Sequence, residues 1–142
     1  MERTLMIIKP DAVKARHIGH IISFLEKEDF TLLGLRMTQL TTAQAQDFYS
    51  IHKARPFYND LVSYMTSGKV VVIALEGENA VARMRAIIGA TNPKDAAEGT
   101  IRKLYAESIK ANAVHGSDSA ENGANETAFY FAVSDMNALR NA

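Results

Sequence analysis

Apolar positions recur along this chain with two periods, one of about two residues and one of between three and four, and the switches between them mark out the elements. Thr4-Leu-Met-Ile-Ile8 is a continuous apolar run stopped by Lys9-Pro10, which predicts a buried strand with a lysine projecting from its end. Ile18, Ile21, Ile22 and Leu25 keep helical spacing, and Glu26 to Asp29 close that helix. Leu33, Leu35 and Met37 alternate with Gly34, Arg36 and Thr38, the pattern of a half-buried strand. A helix starts at Thr41-Thr42 and runs through Phe48, Tyr49 and His52 until Arg55-Pro56 interrupts it. Leu61, Val62, Tyr64 and Met65 predict a second short helix closed by Gly68.

Val70-Val-Val-Ile-Ala-Leu75 has the composition of a central strand buried on both faces. Val81, Met84, Ile87 and Ile88 form the stripe of another helix, ended by Gly89, with Arg83 and Arg85 off that stripe. Residues 90 to 114 are a long, weakly regular excursion with one periodic piece around Ile101, Leu104 and Tyr105, and excursions of this length in a compact domain are usually functional. A helix follows from near Ser119 toward Glu126, with Asp118 and Glu121 read as its capping pair. Ala128-Phe-Tyr-Phe-Ala-Val133 reads as a final strand, and Ser134 to Ala142 shows no pattern. Four strands interleaved with helices in a split βαβ order predict an α/β, α+β sandwich: a ferredoxin-like βαββαβ domain with a four-stranded antiparallel sheet covered by helices on one face.

Composition narrows the classes of function. At 142 residues the chain fits one domain, which buries roughly two-thirds of the surface exposed by its unfolded form. No apolar run reaches the length of a membrane-spanning helix. Met1-Glu-Arg-Thr4 leads straight into the first strand without the features of a secretory signal, and there is no cysteine; both predict a cytoplasmic location. Sixteen basic residues balance sixteen acidic ones, so any anion site has to be assembled locally rather than supplied by a general positive field.

The candidate chemistry centres on Asn112-Ala-Val-His115-Gly-Ser-Asp-Ser119, which places a histidine in a glycine-punctuated turn just ahead of a helix. The unpaired N–H groups at a helix start disfavour an added positive charge, leaving an uncharged imidazole with a free lone pair, a competent nucleophile. No G-x-x-x-x-G-K-[ST] or G-x-G-x-x-G string is present, so phosphate would have to be held by side chains. His17 and His20 share a helix without an obvious third ligand, which makes a structural metal improbable, and no G-x-S-x-G elbow supports a serine hydrolase. Hydrolysis by paired carboxylates stays open, because sequence cannot pair them. A non-catalytic module reading RNA is a second class of function, although the glycine-aromatic string of the common RNA-recognition sheet is missing.

Five strings tip this balance: Ile8-Lys-Pro-Asp-Ala12, His52-Lys-Ala-Arg-Pro-Phe57, Gly89-Ala-Thr-Asn-Pro93, Gly99-Thr-Ile-Arg102 and Asn112 to Ser119. In content, order and separation they resemble the nucleoside diphosphate kinase family from about Thr4 to Phe131. The resemblance implies one such domain over residues 1–142 that moves the terminal phosphate of a nucleoside triphosphate to a nucleoside diphosphate, in ping-pong fashion through a phosphohistidine. It makes His115 the match of the phosphorylated nucleophile. Lys9, Arg85, Thr91, Arg102 and Asn112 match positions that contact phosphates and sugar, and Phe57, with Ile109 near the opposite face, matches the base-stacking aromatic. Glu126 matches the carboxylate that orients the histidine, and Ser117 and Tyr49 its hydrogen-bonding neighbours. It further implies a magnesium ion (Mg2+) held mainly by the nucleotide's phosphates, broad base acceptance and a homo-oligomer, dimer-based, tetrameric or hexameric. It implies no specific nucleic-acid partner. Two departures stand out: Arg102-Lys-Leu104 lacks an acidic residue many members carry there, and Asn122-Gly123 puts poor helix formers into the helix beyond His115.

Overall fold

A computed structural model describes Met1–Ala142. Four strands, β1 (Glu2–Ile8), β2 (Thr31–Thr38), β3 (Val70–Gly77) and β4 (Val114–Gly116), form one sheet in the order β2-β3-β1-β4, with every neighbouring pair antiparallel. This is the ferredoxin-like arrangement expected from the pattern. The helices are α1 (Pro10–Lys14), α2 (Ile18–Lys27), α3 (Thr42–Phe48), α4 (Tyr58–Met65), α5 (Ala80–Ile88), α6 (Ile101–Tyr105), α7 (Ala120–Tyr130) and α8 (Val133–Arg140).

Alternation along β1 and β3 builds two cores rather than one. Met6 and Ile8 of β1 join Val71, Ile73 and Leu75 of β3 in a cluster with Ile21 and Leu25 of α2 and Met84 and Ile88 of α5. Leu5 and Ile7 point the other way, with Val70 and Val72, into a cluster with Ala45 of α3, Val62 and Met65 of α4, and Tyr130 of α7. Helices therefore cover both faces, which corrects the expectation of one, and all eight residues of β3 are buried.

Three local expectations fail for identifiable reasons. Ala128 to Val133 is not a strand: residues through Tyr130 continue α7, Phe131 ends that helix, and α8 begins at Val133. The aromatic run favours a strand by composition, but packing decides otherwise, since Tyr130 fills the second core and the Phe131 ring lies against Gly34 of β2. The fourth strand is instead Val114–Gly116, too short to show a period, and the unpatterned tail holds α8. The cap of α7 is Ser119, whose hydroxyl accepts from Asn122 N at 3.0 Å, rather than the pair Asp118 and Glu121. Farther back, the proline that ends β1 opens α1, its missing N–H being harmless at the first helical position.

Gly123 explains one departure in the sequence. A Cβ there would overlap the carbonyl oxygen of Arg3, so the glycine lets α7 lie directly on the backbone of β1.

Candidate active site

The sheet places the histidine. Val114 pairs with Ile8 and enters the first core, so by alternation His115, paired with Ile7, projects from the opposite face toward α3 and α7. His115 is thus a strand residue paired with β1, where the sequence predicts a turn. Ala113, just before β4, is fully buried with φ of 72°, a left-handed conformation rare for alanine. That backbone is held from both sides: Ala113 N donates to Asp11 Oδ2 at 3.0 Å and its carbonyl accepts from Lys9 N at 2.8 Å. Tyr64 in turn donates its hydroxyl to Asp11.

His115 Nε2 lies 2.8 Å from Glu126 Oε1 on α7. An ionised carboxylate only accepts, so this contact puts the ring proton on Nε2 and leaves the lone pair on Nδ1. Ser117 fixes the carboxylate in turn. Its hydroxyl donates to the same Oε1 at 2.7 Å and accepts from Leu5 N at 3.0 Å, tying Glu126 to the centre of the sheet. Tyr49 is placed differently from expectation. Its ring stands nearly perpendicular to the imidazole at 6.5 Å between centroids, but its buried hydroxyl has no hydrogen-bond partner in the chain, and burial pushes the phenol well above its usual range.

His115 and Glu126 open onto a cleft of about 410 Å³ that also brings together Lys9, Arg85, Arg102, Asn112 and Thr91. Lys9 Nζ donates to Asn112 Oδ1 at 2.8 Å, and Asn112 Nδ2 donates to the Thr91 carbonyl at 3.2 Å, so the amide links the end of β1 to the long loop. Arg102 is anchored by three carbonyls, those of Asn112, Gly89 and Val114, at 3.3, 3.1 and 2.9 Å. Gly89 is required where Arg102 meets it: its φ is 92° and a Cβ would come within 2.5 Å of Thr100 Oγ1.

Charge in this cleft is unbalanced. Lys9, Arg85 and Arg102 form no ion pair with any carboxylate, unlike Arg3, Arg83, Lys110 and Arg140. Burial, and then the neighbouring Arg102 charge, lowers Lys9 to about 8, while burial and Arg85 lower Arg102 to about 10. Cations depressed this way are poised for an anion that would offset the cost of burying their charge. At the mouth, Phe57 and Ile109 are exposed apolar side chains on the cleft lining. Asp118 lies there too, held below the usual carboxylate range first by its hydrogen bond from Asn122.

Every site residue expected from the sequence therefore lines this cleft except Ser117, which stands behind Glu126. Phe48 was not anticipated. It ends α3 edge-on to His115 at 5.6 Å, and only the apolar character of its position within the predicted helix hinted at it.

The family model for nucleoside diphosphate kinase matches residues 2–136. The chain belongs to the nucleoside diphosphate kinase family. It is 55% identical over 140 residues to the nucleoside diphosphate kinase of Chlamydia muridarum, covering 98% of this chain and 99% of the relative. It is 59% identical over 136 residues to that of Nitratiruptor sp., covering 96% and 99%. The crystal structure of the Aquifex aeolicus nucleoside diphosphate kinase superposes with a TM-score of 0.92 at 40% identity, covering 94% of this chain and 97% of that one. That of Encephalitozoon cuniculi gives 0.88 at 37%, covering 92% and 89%. As a nucleoside diphosphate kinase the chain is a phosphotransferase that moves a terminal phosphate between nucleotides, and the ping-pong route through a phosphohistidine is characteristic of the family.

Proposed function

We propose that His115 is the phosphorylated residue and that Nδ1 is the attacking atom. The observation that carries this is the juxtaposition of a histidine whose Nε2 proton is held by Glu126 with three cations that form no ion pair with a carboxylate. In the first half-reaction the Nδ1 lone pair forms a bond to the terminal phosphorus. The P–O bond to the leaving diphosphate breaks, and its electron pair stays on the departing oxygen. The imidazole becomes positive, and Glu126, braced by Ser117, stabilises that charge through Nε2–H. A second nucleoside diphosphate then takes the phosphoryl group by the reverse step. One cleft serves both nucleotides in turn.

Lys9, Arg85 and Arg102 neutralise the charge spread over the transferring group, and Asn112 and Thr91 bind beside them. Asn112 already positions Lys9. Phe57 and Ile109 bracket the base by stacking and apolar contact. Such contacts read no base edge, so acceptance of different bases is broad. Tyr49, lacking a partner in the chain, is a hydroxyl donor available beside the imidazole. The cleft's carboxylates are Asp118 and Glu126, and Glu126 is engaged by two donors. This donor set fits Mg2+ held chiefly by phosphate oxygens and water, with Asp118, whose Oδ1 already accepts from Asn122, the remaining carboxylate at the cleft. When bound with the nucleotide, the ion supplies charge neutralisation on the polyphosphate.

A homo-oligomer fits the open edge of β2, where Leu35 and Met37 are exposed and no strand pairs outward. The reaction and the lack of cysteine fit a cytoplasmic enzyme. No helix is long and apolar enough to cross a membrane. The test is transfer from ATP to several nucleoside diphosphates. Comparable transfer to purine and pyrimidine acceptors is expected, with loss in His115→Ala; full transfer by that variant would reject the assignment.

A further inference from the structure

The Phe48 ring touches four others: Tyr49 at 4.9 Å, Tyr130 at 5.2 Å, Phe129 at 5.4 Å and the His115 imidazole at 5.6 Å between centroids. It meets the imidazole edge-on, at 74° between planes, and Tyr49 adds a second ring at 87°. Phe48 stands outside the side chains that line the cleft and meets it through the His115 and Tyr49 rings. The imidazole's one side-chain hydrogen bond, to Glu126, fixes the distance of a single ring atom and leaves the plane free to tilt about it. Edge-on aromatic contacts carry a directional preference that removes this freedom.

We propose that Phe48 is a positioning residue for phosphoryl transfer, holding the His115 imidazole in the one orientation that satisfies Glu126 at Nε2 and presents Nδ1 to the cationic cleft. This rests on His115 being the nucleophile. Tyr130 and Phe129 anchor Phe48 from α7, the same helix that carries Glu126, so the wall and the hydrogen bond move as one body. Displacing a reacting atom by an ångström costs about a hundredfold in rate without a matching change in ligand affinity. A residue that merely fills the core would lower stability and affect rate and binding together.

The experiment compares Phe48→Leu and Phe48→Tyr with the unmodified enzyme by three readouts: rapid-quench formation of the phosphoenzyme from ATP, equilibrium binding of ADP, and 15N shifts of the His115 ring. Phe48→Leu is expected to slow phosphoenzyme formation by roughly 10- to 100-fold, to bind ADP within about twofold of normal, and to displace the ring 15N shifts through loss of the edge-on ring while the Nε2–H tautomer set by Glu126 is kept. Phe48→Tyr, which keeps the ring, restores rate and spectrum. A Phe48→Leu rate within about twofold of normal overturns the proposal, as does a slower rate with parallel loss of ADP binding and unchanged ring shifts. Should Phe48→Leu fail to fold, Phe48→Met keeps the volume without the flat ring and is read in the same way. Phosphorylation persisting in His115→Ala would instead sink the nucleophile assignment beneath it, a result the Phe48 variants cannot mimic.

Discussion

Lys9, buried beside Arg102 with no carboxylate close enough to pair with it, carries a charge that costs folding stability and that a phosphate would compensate. Its ordinary value of 10.5 falls to about 8 on folding. The unfolded chain thus binds the extra proton between these two values, and stability rises as pH climbs through that window. Below it the penalty is complete, on the order of 3 kcal/mol. Lys9→Met is expected to raise the denaturation midpoint at pH 7 while abolishing transfer. Nucleotide affinity of the unmodified enzyme is expected to fall as pH rises above about 8, a dependence that calorimetric titration should find absent in Lys9→Met. Glu126→Gln keeps the shape but not the charge, and is expected to lower the transfer rate by roughly 10- to 100-fold, the usual cost of losing a histidine's supporting partner. At this scale the sequence was informative through strings alone. Neither Lys9 nor Glu126 differs locally from a surface charge: Lys9 finds its partner in Asn112, 103 positions along the chain, and Glu126 meets His115 only because β4 and α7 pack together. Tyr49 shows the limit: the family resemblance implies a hydrogen-bonding neighbour of the histidine, but its hydroxyl has no partner in the chain and only its ring meets the imidazole.

α7 carries Glu126 and is itself located by Gly123, so the geometry of the site depends on one close helix-strand crossing. Helix propensity alone favours Gly123→Ala by about 1 kcal/mol. The added methyl, however, would meet the backbone of β1, which cannot rotate away, and overpacking of this kind costs about 1–3 kcal/mol or more. Net destabilisation is expected in urea denaturation, with Ala124→Gly, which makes room rather than filling it, as a control showing only the small propensity loss. Periodicity revealed α2 and α5 through one buried face each, and β1 and β3 through near-complete burial, whereas the alternation that located β2 did not give its buried side, since Leu33 is buried but Leu35 and Met37 are exposed. It missed β4, which has three residues, and misassigned Ala128 to Val133, because an aromatic run looks alike in a buried strand and at the end of a packed helix. The cap at Ser119 shows the same ambiguity, since three neighbouring polar residues were all acceptable caps and only the path of the chain selects one.

In the whole molecule the tail is fastened far from the catalytic cleft. Glu76, buried on β3, accepts from Arg140 of α8 at 2.8 and 2.7 Å and from Arg3 of β1 at 3.0 Å, and Arg3 also donates to Asn137 at 2.7 Å. These arginines, Arg140 first, hold the Glu76 carboxyl below its usual range. Its contribution is therefore present above the ordinary carboxylate range and lost as pH falls through the lowered value. Glu76→Gln is expected to be less stable at pH 7 and to lose less stability on acidification, as read by thermal denaturation between neutral and acid pH. The ferredoxin-like class was legible because alternation and crossover rules leave few ways to arrange four strands, even though the fourth strand lies at Val114–Gly116 and not at Ala128 to Val133. The second helical layer was not, because Leu5 and Ile7 look no different in sequence from Met6 and Ile8. Assembly belongs to this scale too: placing lysines at both Leu35 and Met37 is expected to reduce the mass measured by light scattering, with unchanged mass excluding the β2 edge.

The central claim is that the phosphoryl group rests on the Nδ1 atom of His115 between two nucleotides. Intact-mass measurement after brief exposure to ATP and magnesium, followed by NMR of the modified ring, tests it directly. The account predicts one added phosphoryl group, lost in acid, stable in alkali, removed by a nucleoside diphosphate and located on Nδ1. A label on any other residue, or one that a nucleoside diphosphate cannot remove, would contradict it.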